Sequence, residues 1–410
     1  MPLLADKDNC TGCLACVDIC PKESLSPKYN EEGHLFYDLD EDSCISCGLC
    51  ESICPVLSGI GVGRNELSES QVFAAWAEDK EVRRAGTSGA VFGAIATSLL
   101  QKKGLVVGAS FERFRTKARI VDSPSGLPAL QGSKYMQSDY SGIYNSVTSV
   151  LRDGKTVLFS GLACQVAALY SILKKRKVDT SNLITVDLIC GGVPSIFLVD
   201  SFRHYYGDEY DALAGFRNKT QYEFSVHRQD GSVEVLPITQ RPLPLCGFYT
   251  ELTNRYSCYN CKFAKAHRCS DITIGDFWGD KDHPSERNSG VSVAVAHSSK
   301  GESILYSSEL HVERIKWRDF LPYNPRMVNG YSPRSKTWQR KQLARLFRSC
   351  SYERLQEIYA NKVTLKKPWL FVGKAIRWVK GTIWHNHVTR SINSLLEDYE
   401  NSSDNLSLFK

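Results

Sequence analysis

Eight cysteines in the first 54 residues constrain the chain more than any other feature. They form two runs of one spacing, C-x2-C-x2-C-x3-C-P, which end at Pro21 and Pro55. In this spacing three thiolates of a loop bind one 4Fe–4S cluster, and the fourth cysteine reaches the other cluster. Two complete copies favour iron–sulfur clusters, and hence one-electron transfer, over disulfides or a zinc knuckle. The predicted ligands are Cys10, Cys13, Cys16 and Cys54 for one cluster and Cys44, Cys47, Cys50 and Cys20 for the other.

Charge is unevenly distributed along the chain. Residues 1–60 contain 3 Lys and Arg against 11 Asp and Glu, a net charge of −8. The whole chain carries +6, so residues 61–410 carry +14. An acidic N-terminal domain beside a basic body predicts that the two dock electrostatically, although acidity for solubility alone is the alternative.

Cysteine use and hydropathy bear on location. Cluster-type thiolates indicate a reducing compartment. The N-terminus lacks the basic and apolar stretches of a signal peptide, and no apolar run approaches the ~18 residues of a spanning helix. No nucleic-acid-binding motif accompanies the basic charge. We therefore predict a cytoplasmic protein without a nucleic-acid partner, with peripheral attachment at the inner face of the membrane as an option.

The chain divides into five predicted segments. These are a ferredoxin-like domain at 1–58, a Gly/Ser-rich linker at 59–71, two parts of a larger domain at 72–150 and 151–330, and a basic helical tail at 331–410. The predicted fold class is α+β or α/β, with the small ferredoxin-like domain followed by a larger α/β domain around a central mixed sheet.

Within the larger domain, short apolar runs alternate with amphipathic stretches, which is typical of strands and helices around one sheet. Strands are predicted at 72–77, 105–111, 156–161 and 182–190, and helices at 90–104, 141–155 and 164–175. Residues 211–245 alternate with period two around the turn QDGS and predict a hairpin. Residues 250–300 are predicted to be rich in loops, and 335–360 to be helical.

A second set of cysteines predicts a third metal centre. Cys258 and Cys261 have a spacing that lets two thiolates share one centre. Cys164 lies at a strand-to-helix turn and Cys190 at the end of a strand, and such ends meet at the ligand crevice of an open α/β sheet. Cys269 is a rival for the position of Cys190 because it lies near Cys261 in sequence. A third 4Fe–4S cluster is favoured, and structural zinc is the alternative.

Five motifs, in this order, resemble a known family. They are GTSGA at 86–90, GSKYMQS at 132–138, LFSGLACQVAAL at 158–169, LICGGVPS at 188–195 and RYSCYNCKFAKAHRCSDITIGDFWGD at 255–280. Over about residues 1–310 the chain resembles the beta subunits of the coenzyme F420 hydrogenase/dehydrogenase family. It departs at GLACQ, where the family usually has GTPCQ, at Gly191, where close bacterial relatives have His, and at Ala90, where the family has Gly. The resemblance implies Cys164, Cys190, Cys258 and Cys261 as ligands of the third cluster.

The resemblance also implies an FAD site, which composition alone does not. The implied residues are Arg83, Thr87, Ser88, Gly89, Gly132, Ser133, Lys134, Tyr135, Gln137, Asp271, Gly275, Asp276, Phe277 and Trp278. Backbone N–H groups at a helix start suit an anion, and Arg83 suits a phosphate. Lys134 is the candidate catalytic residue, near the flavin or an anionic substrate. A plain helix cap at 87–89, a solvated lysine and core packing of Phe277 and Trp278 are the alternatives.

Four further residues have no firm role in this scheme. Arg217 and Lys219, in the string FRNK, also match the family, and a solvated hairpin end is the alternative. Cys246 and Cys350 match no motif, so we expect them to be ordinary thiols.

The C-terminal tail carries a basic amphipathic pattern. Residues 361–396 contain seven Lys and Arg and no acid, and an apolar stripe runs from Trp369 to Ile383 at helical spacing. This pattern is typical of helices that bind a membrane surface. The alternative is a helix that packs on the protein's own body or on a partner subunit.

These patterns lead to two hypotheses of function. In the first, the chain is an iron–sulfur flavoprotein oxidoreductase that passes electrons between a ferredoxin-like one-electron carrier and a small-molecule two-electron substrate. In the second, it is an electron-transfer subunit of a larger complex whose substrate chemistry lies on another polypeptide. Dependence on the deazaflavin coenzyme F420 is a variant of the first hypothesis.

Overall fold

A nine-stranded mixed sheet lies at the centre of the computed structural model, which describes residues 2–219, 222–360 and 385–401. The strands are β1 (Leu25–Tyr29), β2 (Leu35–Leu39), β3 (Gln71–Ala77), β4 (Leu105–Glu112), β5 (Arg115–Val121), β6 (Ser138–Asp139), β7 (Val157–Leu162), β8 (Leu183–Leu188), β9 (Tyr210–Gly215), β10 (Phe224–Arg228), β11 (Val233–Leu236), β12 (Ile272–Asp276), β13 (Ser292–Ala296) and β14 (Leu310–Ile315). The central sheet has the order β14-β3-β13-β12-β8-β7-β4-β5-β6. The predicted mixed sheet is therefore confirmed.

Helices lie in the N-terminal domain, around the central sheet and around a smaller second sheet. They are α1 (Ala15–Ile19), α2 (Leu49–Ser52), α3 (Pro55–Ser58), α4 (Lys80–Ala85), α5 (Val91–Gln101), α6 (Ile143–Arg152), α7 (Ala163–Lys175), α8 (Phe197–Tyr206), α9 (Leu243–Thr250), α10 (Ser299–Ser307), α11 (Trp317–Phe320), α12 (Trp338–Lys341), α13 (Leu343–Ser349), α14 (Tyr352–Leu355) and α15 over 385–401. Strands that are covered on both faces read as continuous apolar runs, which is why β3, β4, β7 and β8 were predictable.

Four adjacent strands of the sheet, β12, β8, β7 and β4, run parallel. Their carboxyl ends therefore lie along one edge, where open α/β sheets place ligands. Two of the central strands, β12 and β13, lie inside the stretch 250–300 that was predicted to be rich in loops. At five residues each, these strands are too short to give a clear periodic signal beside the cysteines and glycines around them.

A second, three-stranded sheet has the order β11-β10-β9. The hairpin predicted around QDGS is confirmed, because β10 and β11 pair antiparallel from Phe224 opposite Leu236 to His227 opposite Val233. Residues of α8, α9, α13 and α14 bury this sheet in a separate apolar core with Cys246, and Cys350 packs at its margin.

The N-terminal domain is docked on the body by buried contacts. Its residues Ala15 and Ile19 of α1 share one apolar core with residues of α6 and α7. Asp18 accepts hydrogen bonds from the backbone N–H groups of Gly142 (2.6 Å) and Asn145 (3.2 Å) at the start of α6. Among the described residues one ion pair crosses this interface, between Arg340 and Glu32. The described contacts of this interface are thus mainly apolar packing and hydrogen bonds, with one ion pair beside them.

The segment 59–71 joins the N-terminal domain to β3 and is itself fixed to the body. Arg64 and His267 exchange two backbone hydrogen bonds, of 2.9 and 2.8 Å, and Leu67 is buried. A Cβ atom on Gly61 would lie 2.6 Å from the Cβ of Ala167, so this close approach requires glycine.

Helix α15 packs on the body near α11. Val388 and Ile392 lie in one apolar core with Trp317 and Phe320. This packing agrees with the alternative in which the tail helix packs on the protein's own body. The stripe from Trp369 to Ile383 lies outside the described residues. Within the part of the chain that the structure describes, every helix is too short or too polar to cross a membrane.

Candidate functional site

The eight N-terminal cysteines surround two small cavities in the predicted crossed sets. The first cavity, of about 30 Å³, is lined by Cys10, Cys13, Cys16 and Cys54. The second, of about 20 Å³, is lined by Cys20, Cys44, Cys47 and Cys50. No His, Asp or Glu side chain lines either cavity among the described residues, so the donor set fits iron–sulfur clusters. Cys47 is exposed, which places the second set near solvent.

The four cysteines predicted for a third centre also line one cavity, of about 450 Å³. Cys164 is the second residue of α7, and Cys190 lies two residues after β8. Cys258 lies within the short 3-10 turn Tyr256–Asn260, and Cys261 follows that turn directly. Burial raises the pKa of the Cys164, Cys190 and Cys258 thiols, to about 12 for Cys258. The N–H of Gly192 donates to Sγ of Cys190 over 3.3 Å, a contact that favours the thiolate.

The rival ligand Cys269 does not line this cavity among the described residues. Its Sγ lies beside Gly61, and it packs near Ala167. The choice of Cys190 over Cys269 thus stays a prediction that this placement favours. Over 2–219, 222–360 and 385–401, no three Cys, His, Asp or Glu side chains form a site for a single metal ion.

A further cavity, of about 290 Å³, opens at the carboxyl ends of the parallel strands. It is lined by residues at or after the ends of β7, β8 and β12 and by the first turn of α5. Of the predicted flavin residues, this cavity brings together Thr87, Ser88, Gly132, Ser133, Lys134, Tyr135, Gly275 and Asp276. Its apolar wall includes Val91, Leu130, Met136 and Ile274. A mostly apolar cleft with a few polar groups is the usual setting of an aromatic cofactor.

The turn before α5 is held in a strained conformation against the sheet. Ser88 and Ala90 have φ of 52° and 59°, in the left-handed region that favours glycine. A Cβ atom on Gly89 would lie 2.3 Å from the carbonyl oxygen of Ala75. No side chain caps α5 within the described residues, and its first three residues, Val91, Phe92 and Gly93, line the cavity. The departure from the family at Ala90 therefore falls on a position where glycine is the less strained residue.

Two cationic side chains line the cavity. Lys134 donates to the carbonyl oxygens of Gln131 (2.7 Å) and Gly132 (3.2 Å), and burial lowers its pKa to about 8. Arg217 is paired with Asp276 over 2.7 Å. Burial opposes the charge of Arg217, but Asp276 outweighs it and raises the pKa of the guanidinium. These groups could bind an anionic part of a ligand.

An aromatic stack forms another wall. Tyr135 lies parallel to Phe248 with ring centroids 4.3 Å apart, and both residues line the cavity. Phe248 and Gln165 were not predicted. Gln165 accepts the N–H of Leu162 over 2.8 Å and so holds the strand-to-helix turn, and its position beside Cys164 in GLACQ was an available signal.

Six predicted flavin residues lie outside the cavity. Arg83 is paired with Glu286 over 2.6 Å, Gly89 donates to Ser292, and Asp271 accepts from Thr185 and Ser298. Gln137 faces the N-terminal domain, and Phe277 packs in the core near Trp317. Trp278 is exposed. The packing alternative thus describes Phe277, and Arg83, Asp271 and Gln137 use their polar side-chain groups within the fold.

Comparisons with known proteins agree with the order of the motifs. Residues 9–58 match the 4Fe-4S dicluster domain. Residues 72–144 match the N-terminal model of the coenzyme F420 hydrogenase/dehydrogenase beta subunit, and residues 154–315 match its C-terminal model. Among solved structures, the chain is similar to one in the xenon-derivatized F420-reducing NiFe hydrogenase complex from Methanosarcina barkeri. The sequences are 15% identical, the TM-score is 0.42, and the match covers 75% of this chain and 98% of that chain.

Proposed function

The chain belongs to the coenzyme F420 hydrogenase/dehydrogenase beta subunit family, a family of oxidoreductases, and carries a 4Fe–4S dicluster domain. From that premise we propose that it is an iron–sulfur flavoprotein that exchanges electrons between a ferredoxin-like carrier and a two-electron substrate. Bound iron–sulfur clusters would supply one-electron chemistry and bound FAD would supply both one- and two-electron chemistry.

The observation that carries this proposal is a wall shared by two cavities. Leu162, Cys190, Gly192 and Val193 line both the cavity of the third cysteine set and the cavity at the strand ends. The third set also adjoins the N-terminal domain, because Cys164 and Cys261 pack in one cluster with Cys10 and Cys54. The three thiol sets and the cavity at the strand ends thus follow one another as neighbours from the exposed Cys47 inward.

The residues of the strand-end cavity have separable roles in this proposal. Lys134, Arg217 and the uncapped start of α5 would hold the anionic part of the cofactor or substrate. Tyr135 and Phe248 would pack against an aromatic ring system, since parallel aromatic groups associate favourably. Asp276 keeps Arg217 in place through their 2.7 Å ion pair.

Anaerobic cofactor analysis tests the proposal. Three cubane clusters correspond to about twelve irons and about twelve acid-labile sulfides per chain. Denaturation of the loaded protein is expected to release FAD. A plateau at about eight irons together with stoichiometric zinc would remove the third cluster, and absence of any flavin in folded, iron-loaded protein would remove the flavoprotein assignment.

A second candidate is an electron-transfer subunit whose substrate chemistry lies on a partner. The family description as a beta subunit favours it, and so does the exposed Cys47 beside the exposed Ile45, which gives a redox partner access to the second thiol set. Turnover of a reduced ferredoxin or of coenzyme F420 by the isolated chain supports the first candidate. Co-purification with a catalytic subunit that is required for all turnover supports the second.

A further inference from the structure

Arg255 is a buried cation whose side chain is held by neutral acceptors. Its side chain lies between the N-terminal domain and the body, and the residue is 1% exposed. The guanidinium donates to the carbonyl oxygen of Cys10 over 3.2 Å, to Oε1 of Gln137 over 2.8 Å and to the carbonyl oxygen of Leu35. All three acceptors are neutral, and no carboxylate among the described residues forms an ion pair with Arg255.

The other deeply buried arginines among residues 2–219, 222–360 and 385–401 are neutralised differently. Each is paired with a carboxylate: Arg217 with Asp276, Arg268 with Asp187, and Arg340 with Glu32. Burial of an unpaired charge is costly, so a fold retains one only where another charge compensates it. His34 cannot compensate Arg255, because an imidazole carries no negative charge, and burial together with Arg255 and Arg340 lowers its pKa well below the usual value.

Two sets of cysteines that adjoin Arg255 can carry negative charge as thiolates. Arg255 binds the backbone of Cys10, in the first N-terminal set, and precedes Cys258, in the third set, by three residues. The backbone N–H of Cys258 donates to the carbonyl oxygen of Arg255 over 3.0 Å, so Arg255 contacts a member of each set. One guanidinium therefore acts electrostatically on two neighbouring sets of thiolates.

We propose that Arg255 is the shared counter-charge of the iron–sulfur centres held by the sets of Cys10 and Cys258, and that it favours their reduced forms. Reduction adds one electron, and hence one negative charge, to a centre. A fixed cation in a water-poor interface stabilises that added charge more than it would in solvent. The part concerning Cys258 rests on the proposed third cluster, whereas the part concerning Cys10 rests on the dicluster domain.

Redox titration of the full-length, cluster-loaded protein with dithionite, followed by electron paramagnetic resonance, tests this inference. Arg255→Met is expected to lower the ratio of reduced to oxidised centre at least tenfold at a fixed potential. For a one-electron couple this corresponds to a fall of about 59 mV in the reduction potential. Arg255→Lys keeps the charge and is expected to keep most of the wild-type ratio. The control is Arg340→Met combined with Glu32→Gln, which loosens the same interface without a change in net charge and should leave both ratios unaltered.

Each outcome has a defined meaning. Loaded Arg255→Met protein with wild-type potentials overturns the inference, and so does Arg255→Lys protein whose potentials fall as far as those expected for Met. If Arg255→Met does not load iron, the reduction potentials of Arg255→Lys decide the question. This variant retains the positive charge of Arg255 but not its guanidinium group. If the wild-type chain binds only about eight irons, the third cluster fails as proposed, while the centre of Cys10 still reports on Arg255.

Discussion

The ion pair between Arg217 and Asp276 offers a direct test of the strand-end cavity. Arg217→Met removes a side chain that is 5% exposed and leaves Asp276, 22% exposed, without its partner. Removal of one partner of a fully buried pair costs about 3–5 kcal/mol. Partial access of water to Asp276 reduces this, so we expect the free energy of unfolding to fall by roughly 2–3 kcal/mol. A charged hydrogen bond to an anionic ligand is worth about 2 kcal/mol, so flavin binding should weaken about thirtyfold.

Denaturant unfolding and flavin titration of the refolded protein measure the two effects separately. The matched control is Arg83→Met, which breaks the ion pair between Arg83 and Glu286. The side chain of Arg83 is 12% exposed and that of Glu286 is 29% exposed. Neither residue of that pair lines the cavity. The control is expected to lower stability by a similar amount and to leave flavin affinity unchanged. Equal flavin affinity in Arg217→Met and wild-type protein, or equal losses in the two variants, would refute the role given to Arg217.

Three further predictions address the cysteines, the lysine of the cavity and the tail. Cys190→Ser should lower the iron content from about twelve to about eight per chain while Cys269→Ser leaves it unchanged, and the reverse result would transfer the ligand role. Burial lowers the pKa of Lys134 from 10.5 to about 8. Anion binding in the cavity should therefore weaken as pH rises through about 8, and stability should rise with pH between about 8 and 10.5, where the unfolded chain binds more protons. Lys134→Met should abolish both trends, and a wild-type pH profile in this variant would contradict the assignment. Neutralisation of Lys374 and Arg377 to Gln should weaken co-sedimentation with anionic liposomes by about 2 kcal/mol at low salt, whereas unchanged binding would leave the tail without a membrane role.

Much of the fold followed from local signals in the sequence. The cysteine spacing predicted which thiols share a cavity, because the N-terminal loops are short and the ligands are set by local geometry. The strands β3, β4, β7 and β8 and the helices α5, α6 and α7 followed from apolar periodicity. The strands β12 and β13 were missed because a five-residue buried strand has no period that distinguishes it from a loop with apolar residues.

The candidate site was predicted less completely than the fold. The residues Lys134, Tyr135, Gly275 and Asp276 line one cavity as expected, since they lie in motifs at strand or helix ends. Arg83 and Gln137 do not, because Glu286 and the loop of Cys10 compete for their polar groups over sequence separations that no local pattern reveals. The pairing of charges across a fold depends on tertiary contacts, and the sequence alone does not specify them.

The rigid seat of the N-terminal domain has a kinetic consequence. Asp18 accepts a hydrogen bond from the backbone at the start of α6, and Tyr144 donates to the carbonyl oxygen of Cys13 over 2.8 Å. The connecting segment packs closely on α7 at Gly61. A domain seated in this way cannot swing between a distant donor and the body as a tethered shuttle does. Viscogens such as glycerol should therefore slow only the encounter with the external carrier. The rate of electron transfer inside the chain should be independent of solvent viscosity.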